Sequence, residues 1–265
     1  MSIFEAIILG AVQGLTEFLP VSSSGHLVLL QKIFRISEPV LFFDTMLHLG
    51  TLVAVFAVLR QDIWKLLCKP IQRLTGLLIL ATIPTVIIAL LFKDAIEEAF
   101  TSGAYLGFAF LGTAAVLIVS DRLSRNSMKT KNEYTMNWTN ALVIGILQAI
   151  AIIPGVSRSG STLSGAFACK LNRDFGARFS FLLAIPAILG ALVFQIKDLF
   201  QADSGVAIDP MPYAAGTLTA GIVGFFSVKL MLTLVREHGL WGFGLYVAVL
   251  GILVLTDQYL IHCFF

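Results

Sequence analysis

Long apolar stretches separated by short charged segments make up most of the chain. A membrane-spanning helix needs about 20 mostly apolar residues. Six stretches approach this length. Five of them hold no charged residue in their interiors, and the first carries Asp44 and His48. The six are residues 41–59, 76–92, 104–120, 179–196, 212–229 and 241–257. The pattern therefore predicts six membrane-spanning helices.

Two further apolar regions are interrupted by a proline and a polar segment. Residues 3–19 run into Pro20 and VSSSGH, after which a short second piece follows. Residues 139–153 run into Pro154 and GVSRSGS, and the piece that follows ends near residue 169. Irregular backbone at membrane depth is tolerated only where it is buried in protein or lines a wet cavity. We therefore interpret both regions as re-entrant helix–loop–helix hairpins.

The connecting segments alternate in the sign of their charge. Segments 60–73, 121–133 and 170–178 carry an excess of Lys and Arg, whereas segments 93–98 and 197–209 carry an excess of Asp and Glu. Cytoplasmic loops of membrane proteins are the ones enriched in Lys and Arg. The alternation fits six spans and two hairpins that do not cross. It predicts that the first hairpin lies on the outer side of the membrane and the second on the cytoplasmic side.

The two interrupted regions also resemble each other. A shift of 135 residues aligns GAVQGLTEFLPVSSSGHL, which starts at Gly10, with GILQAIAIIPGVSRSGST, which starts at Gly145, and six positions are identical. Each copy precedes three spans, an odd number, so the second copy must be inverted relative to the first. The sequence thus predicts one membrane domain made of two inverted-topology repeats, about 1–125 and about 136–265. Such repeats build substrate sites near the membrane midplane.

The composition agrees with an all-α integral membrane protein. Of the 265 residues 57 % are hydrophobic and 13 % are charged, about half the charged fraction of a soluble domain. This excludes a water-soluble enzyme, and the net charge of +2 gives no support for nucleic acid as a partner. The three cysteines lack metal-ligand spacing and predict neither a disulfide framework nor a zinc site. The first ten residues lack the features of a cleaved signal peptide.

Ionisable side chains inside a membrane are costly and therefore mark candidate functional positions. Glu17 and His26 lie in the first hairpin, and Arg158 lies in the second. The inverted repeat is expected to bring Arg158 to the other two. Asp44 and His48 are four residues apart in the next helix, where a mutually satisfied buried pair explains them as well as a function does.

Serine and glycine follow the break in each hairpin and begin a new short helix. A helix N-terminus offers unpaired N–H groups and the positive end of a dipole, both of which favour an anion. The candidate phosphate ligands are Ser24, Gly25, Ser157, Ser159 and Gly160. Close helix packing by small residues is the structural alternative. Because the Arg158 guanidinium can bind two phosphate oxygens at once, and Glu17, Ser23 and His26 lie nearby, we predict phosphoryl chemistry on a lipid-borne diphosphate.

Three segments resemble the motifs of a known family. QGLTEFLPVSSSGH (Gln13–His26), FDTMLHLGT (Phe43–Thr51) and PGVSRSGST (Pro154–Thr162) are similar to those of the undecaprenyl-diphosphatases, also called bacitracin resistance proteins. The resemblance covers essentially the whole chain and implies a multi-pass protein of the bacterial cell membrane. It implies hydrolysis of undecaprenyl diphosphate to the monophosphate carrier used for peptidoglycan and other envelope polymers. It also implies Glu17, Ser23, His26 and Arg158 as the catalytic residues, with Mg²⁺ or Ca²⁺ supporting the activity.

The resemblance leaves several alternatives open. The family motif is Glu/Gln-x-x-x-Glu, here Gln13 and Glu17, so a cation is expected either at these two residues or mainly on the diphosphate itself. His26 is the first choice of nucleophile, with Glu17 orienting or deprotonating it, and Ser23 activated by His26 is the rival. A transporter or flippase of a polyprenyl phosphate is the alternative function, because inverted repeats with broken helices are typical of transporters. The oligomeric state is not determined by the sequence, and a homodimer stays open.

Overall fold

The computed structural model describes residues 1–36, 40–125, 131–201 and 209–265. Parts of the predicted segments 121–133 and 197–209 therefore lie outside the described residues. The helices are α1 (Ile3–Thr16), α2 (Ser23–Ile33), α3 (Val40–Val58), α4 (Arg60–Cys68), α5 (Arg73–Leu91), α6 (Lys93–Ser102), α7 (Leu106–Arg125), α8 (Trp138–Ile150), α9 (Arg158–Ala168), α10 (Arg173–Gln201), α11 (Pro210–Glu237) and α12 (Trp241–Thr256). A short π-helical turn, Asp257–Ile261, follows α12.

Five of these helices, α5, α7, α10, α11 and α12, are long and apolar enough to cross a membrane. A sixth candidate is α3 together with α4, which are bent by 82° relative to each other. Every predicted span coincides with one of these six helices. α10 and α11 reach 29 and 28 residues because their polar ends continue the helix beyond the apolar core. The structure thus confirms a multi-pass helical protein with five to six candidate spans.

Each interrupted region is a pair of short helices joined by a non-helical turn. α1 and α8 both end four residues before a proline, Pro20 and Pro154 respectively. A proline has no N–H for the carbonyl four residues earlier, and its ring clashes with that carbonyl. The helices therefore end before the prolines, and the chain resumes as α2 and α9.

Two short helices, α4 and α6, occupy segments that the sequence predicts as charged loops. Each follows a preceding long helix after a single residue, α4 after α3 with a bend of 82°, and α6 after α5. α6 ends at Gly103, whose φ of +64° lies in the left-handed region that glycine adopts without strain. Both helices are short, nine and ten residues, and rich in charged residues. Their alternation of apolar and polar positions is therefore too brief to distinguish a helix from a loop.

The two halves of the chain pack across each other, α1 along α11 and α8 along α5. A Cβ atom on Gly10 would lie 2.3 Å from the carbonyl oxygen of Gly216, and one on Gly145 would lie 2.3 Å from that of Ala81. Neither approach leaves room for a side chain, so both helix pairs depend on glycine at the crossing. The two crossings are related by the same shift of 135 residues that aligns the hairpins.

The basic segments meet at one end of the bundle, which we call the basic end. The N–H of Lys131 donates to the carbonyl oxygen of Lys170 at 3.0 Å, and Arg178 pairs with Asp62 at 3.4 Å. These contacts bring the basic segments after α3, α7 and α9 together. This agrees with the alternation of basic and acidic connecting segments along the chain, which predicts that the basic ones lie at the same end.

The opposite end holds α6 and the C-terminal residues. Gln258 Nε2 donates to the carbonyl oxygen of Gly103 at 2.8 Å, and the Asp257 carboxylate accepts the N–H of Cys263 at 3.1 Å. Because α12 runs from the basic end to these contacts, the C-terminus and α6 share the end remote from the basic segments.

Candidate active site

A cleft of about 350 Å³ lies where the two hairpins meet α3, α5 and α10. Its polar part is lined by Glu17, Ser22, Ser23, Ser24, Asp44, Thr45, His48, Gln148, Ser157, Arg158 and Ser159. Its apolar part follows α5 and α10, where Val86, Leu90, Ile188 and Ala191 line it. It ends at α6, where Ile96 and Phe100 lie beside the ion-paired Lys93 and Glu97. A cleft that is polar at one end and apolar along its length suits an amphiphilic ligand.

Glu17 lies at the centre of the polar part, at the C-terminal cap of α1, with a side chain only 3 % exposed. Its Oε1 forms an ion pair with Nη2 of Arg158. Its Oε2 accepts hydrogen bonds from Ser23 Oγ at 2.5 Å and from Gln13 Nε2 at 2.9 Å. These donors replace the water that the buried carboxylate has lost. With His48, described below, we call Gln13, Glu17, Ser23 and Arg158 the Glu17 cluster.

Arg158 is the first residue of α9 and brings the second hairpin to the first. Its Nη2 is used by Glu17, whereas its Nη1 is buried and has no hydrogen-bond partner. An unpaired buried donor costs about 1–3 kcal/mol, and more if it is charged. The guanidinium is therefore arranged to hold Glu17 with one nitrogen and a second acceptor, such as a phosphate oxygen, with the other.

The turns before α2 and α9 are capped in the same way. Ser22 Oγ accepts the N–H of Gly25 at 3.3 Å, and Ser157 Oγ accepts the N–H of Gly160 at 3.1 Å. These two amides are already bonded, so the glycines assigned to phosphate binding from the sequence shape the turns and do not present free N–H groups. The first two N–H groups of each helix, which have no intrahelical acceptor, remain for an anion.

Ser24 and Ser159 occupy equivalent positions in the two hairpins but differ in their contacts. Ser24 Oγ lines the cleft, 3.4 Å from Ser22 Oγ. Ser159 Oγ donates to the carbonyl oxygen of Leu19 at 2.9 Å. Ser159 thus fastens α9 to the turn of the first hairpin, and Ser24 is the serine placed to contact a ligand.

His26 is turned away from Glu17. Its Nδ1 lies 2.7 Å from the carbonyl oxygen of Ser22, and its Nε2 lies 2.8 Å from the hydroxyl of Tyr246. Because a carbonyl oxygen can only accept, we assign the proton to Nδ1, so that Nε2 accepts from Tyr246. The ring also packs edge-on against Phe110 and is stacked on Tyr246. The structure therefore does not bring His26 and Glu17 together, contrary to the prediction from the sequence.

Ser22, which His26 holds, has a strained backbone. Its φ is +69° and its ψ is 91°, and such a conformation costs a non-glycine residue about 1–3 kcal/mol. The equivalent Ser157 has an ordinary φ of −74°. The strain belongs to the first hairpin alone, in the residue directly before Ser23, where it sets the direction of that hydroxyl.

Asp44 and His48 both line the cleft. Their side chains do not pair with each other, so the explanation of a mutually satisfied buried pair is wrong. The Asp44 carboxylate accepts from Gln31 Nε2 at 2.7 Å. His48 Nδ1 lies 2.7 Å from the backbone oxygen of Asp44, and its Nε2 lies 3.4 Å from Glu17 Oε2. His48 therefore belongs to the Glu17 cluster, which the helical spacing alone could not show.

Two further residues, Thr113 and Tyr246, hold parts of the site in place, and the sequence motifs did not identify them. Thr113 of α7 donates to the carbonyl oxygen of Gly155 at 2.9 Å and accepts the N–H of Ser157 at 3.0 Å. It fixes the turn before α9 as Tyr246 of α12 fixes His26. Threonine and tyrosine are common in membrane helices, so neither residue stands out before the helices are placed.

The donor set does not suit a cation between Gln13 and Glu17. Gln13 presents its amide nitrogen to Glu17, and Glu17 also faces a guanidinium. A Mg²⁺ or Ca²⁺ site needs converging oxygen ligands. Among the described residues no three His, Cys, Asp or Glu side chains lie close enough to hold a metal ion. Gln13 Oε1 is buried without a hydrogen-bond partner, but this oxygen and those of Glu17 are fewer than the six or more ligands that such a cation takes.

Comparison with known proteins points to one family. Residues 6–253 match the family described as bacitracin resistance protein BacA. The undecaprenyl-diphosphatase of Carboxydothermus hydrogenoformans is 47 % identical over 259 residues, which cover 97 % of this chain and 98 % of the relative. Undecaprenyl-diphosphatase 4 of Bacillus thuringiensis subsp. konkukian is 44 % identical over 259 residues, 98 % of each chain. An undecaprenyl-diphosphatase of Methanosphaera stadtmanae is 40 % identical over 277 residues, 96 % of this chain and 98 % of the relative.

Proposed function

The chain belongs to the family of bacitracin resistance protein BacA, and from that premise we propose that its cleft hydrolyses undecaprenyl diphosphate to undecaprenyl phosphate and inorganic phosphate. This activity recycles the lipid carrier for cell-wall synthesis and confers bacitracin resistance. One observation carries the proposal: a serine hydroxyl donates to a buried carboxylate beside an arginine with an unpaired nitrogen. Phosphoryl transfer needs these three groups: a nucleophile, a base that takes its proton, and a cation that binds the transferring phosphate.

The substrate fits the cleft by its chemistry. The diphosphate enters the polar part, where Arg158 Nη1, Ser24 Oγ and the first N–H groups of α2 and α9 can donate to its oxygens. The isoprenoid lies along the apolar walls of α5 and α10 and extends into lipid. The polar part of the cleft thus binds the diphosphate through charge and hydrogen bonds, and the apolar part binds the isoprenoid through hydrophobic contact.

We assign the nucleophile to Ser23. Its hydroxyl gives its proton to Glu17 Oε2, and Oγ attacks the terminal phosphorus while the bond from that phosphorus to the bridging oxygen breaks. Undecaprenyl phosphate leaves with the electron pair, and a phosphoserine remains. Arg158 neutralises the charge that develops on the transferring group. His26 has both nitrogens occupied, so it is a positioning residue that holds the strained turn at Ser22.

The carboxylate and serine favour a hydrolase over a flippase. Moving a phosphorylated lipid across the membrane requires a charge clamp such as Arg158 but no nucleophile. A hydroxyl held 2.5 Å from a buried carboxylate adds nothing to transport. It is the contact that general-base activation of a serine needs.

A divalent cation neutralises charge on a diphosphate, and we propose that Mg²⁺ or Ca²⁺ is held by the diphosphate oxygens. The hydrogen bond from Gln13 and the ion pair with Arg158 support this assignment, because both occupy Glu17 oxygens that a cation would need. Ser23 and Arg158 act on the substrate itself, and Gln13 orients Glu17.

We further propose that residues 1–125 and 136–265 are inverted-topology repeats and that the site opens to the outer side of the cell membrane. The equivalent crossings of α1 with α11 and of α8 with α5 support the repeats, as do the equivalent caps at Ser22 and Ser157. The cleft extends toward α6, away from the basic end, which supports the outward opening.

The nucleophile is tested with purified protein and a prenyl diphosphate labelled in its terminal phosphate. We expect the parent to release labelled phosphate and, after acid quenching, to carry acid-stable label on Ser23. Ser23→Ala should lose both, whereas Ser102→Ala, a change of an exposed serine at the end of α6, should keep both. Acid-labile label on His26 would overturn the assignment.

A further inference from the structure

The second half of the proposed reaction needs a base that the first half does not provide. The inference rests on the proposed function, in which Ser23 is phosphorylated and Glu17 holds the proton of its hydroxyl. A protonated Glu17 cannot deprotonate the water that must attack the phosphoserine. A second group with an available lone pair therefore has to lie beside Glu17 and Ser23.

His48 has the required geometry. Its Nδ1 faces the backbone oxygen of Asp44 at 2.7 Å, which can only accept, so the proton of the neutral ring lies on Nδ1. The lone pair is consequently on Nε2, which lies 3.4 Å from Glu17 Oε2. The His48 side chain is 26 % exposed and lines the cleft, so water can reach it.

The other titratable side chains of the polar part are already engaged. The Asp44 carboxylate is buried and accepts from Gln31. His26 Nε2 accepts from Tyr246, and Arg158 carries a permanent charge. Among the described residues that line this part of the cleft, His48 is the one whose lone pair faces the reacting groups.

We propose that His48 is the general base of the second half-reaction. A water oxygen attacks the phosphorus of phosphoserine while one water proton passes to His48 Nε2. The bond from phosphorus to Ser23 Oγ breaks, and Oγ takes back its proton from Glu17. Inorganic phosphate leaves, and His48 returns the proton to it or to solvent. No group beyond substrate and water is consumed.

The test separates the two half-reactions by rapid acid quenching, with the same labelled prenyl diphosphate. A general base contributes about 10²- to 10⁴-fold, so we expect His48→Gln to slow steady-state turnover about 100-fold. The first turnover should be nearly unchanged and should produce a burst of about one prenyl monophosphate per folded protein. Label should accumulate on Ser23, and the burst itself counts the folded sites.

Three further measurements make the result decisive. Added imidazole should restore turnover to His48→Ala, because it supplies the missing base to the cavity. His238→Gln, the same change at an exposed histidine of the basic end, should behave like the parent. Parent-like turnover of His48→Gln, or slow turnover without a burst and without more label, would overturn the role of His48. Full turnover by Ser23→Ala would instead overturn the serine chemistry and, with it, this inference.

Discussion

Replacement of Arg158 by lysine tests whether the two hairpins form one site. In the structure the guanidinium uses Nη2 on Glu17 and leaves Nη1 for the substrate. Lysine keeps the positive charge but has a single nitrogen, which cannot occupy both places. We expect the lysine to remain on Glu17, since leaving that buried carboxylate without a partner would cost about 3–5 kcal/mol. The variant should therefore fold but lack the donor to the transferring phosphate.

The expected loss of activity follows from the loss of one hydrogen-bond donor, Nη1 of Arg158. Removing one preorganised donor from a developing oxyanion costs about 100- to 1000-fold in kcat, or about 2.7–4 kcal/mol. KM should change much less, because the isoprenoid contacts of α5 and α10 are untouched. An interaction made mainly in the transition state lowers kcat and kcat/KM together.

The assay is steady-state phosphate release by purified Arg158→Lys over a range of undecaprenyl diphosphate concentrations. Arg236→Lys is the matched control, because Arg236 is exposed and pairs with Asp174 at the basic end. Exposed ion pairs contribute about 0–1 kcal/mol, so this variant should match the parent. If Arg158→Lys kept kcat within about threefold of the parent, Arg158 would only anchor α9, and the single-site reasoning would be refuted.

Two further predictions concern the support of the site and its orientation. Tyr246→Phe removes the hydrogen bond to His26 and should lower kcat in the phosphate-release assay about fivefold, or about 1 kcal/mol. A rise in kcat would instead show that a released His26 takes part in the chemistry. An impermeant thiol reagent should label intact cells at the exposed Cys263 and not at the exposed Cys68, so labelling should vanish in Cys263→Ser and persist in Cys68→Ser. The reverse pattern would place the basic end outside.

The spans could be predicted from the sequence because apolar length is a local property. The hairpin breaks were also predictable, because a proline is followed in both by glycine and serine. Pro84 and Pro186 lack such a segment and lie inside α5 and α10. The short helices α4 and α6 were not, because their charges are equally typical of loops. Each follows a long helix after a single residue, a position that the apolar pattern does not indicate.

The site was predictable in its residue types but not in its orientations. Glu17, Ser23 and Arg158 lie together as expected from two aligned motifs. The partner of His26 is Tyr246, 220 residues away in sequence, and no spacing rule connects them. Ser23 and His26 share one face of α2 by their spacing, so only the strained turn at Ser22 and the position of α12 decide which of them meets Glu17.

The ion pair between Glu17 and Arg158 also imposes an order on biosynthesis. The two residues are 141 positions apart, which at about 5–20 residues per second corresponds to a delay on the order of 10 s. During this delay the carboxylate of a nascent first hairpin has no guanidinium, and its burial in the bilayer is unfavourable. The hairpin should therefore stay near the wet surface until α9 emerges. Insertion of the first hairpin is thus completed only when the second half supplies Arg158.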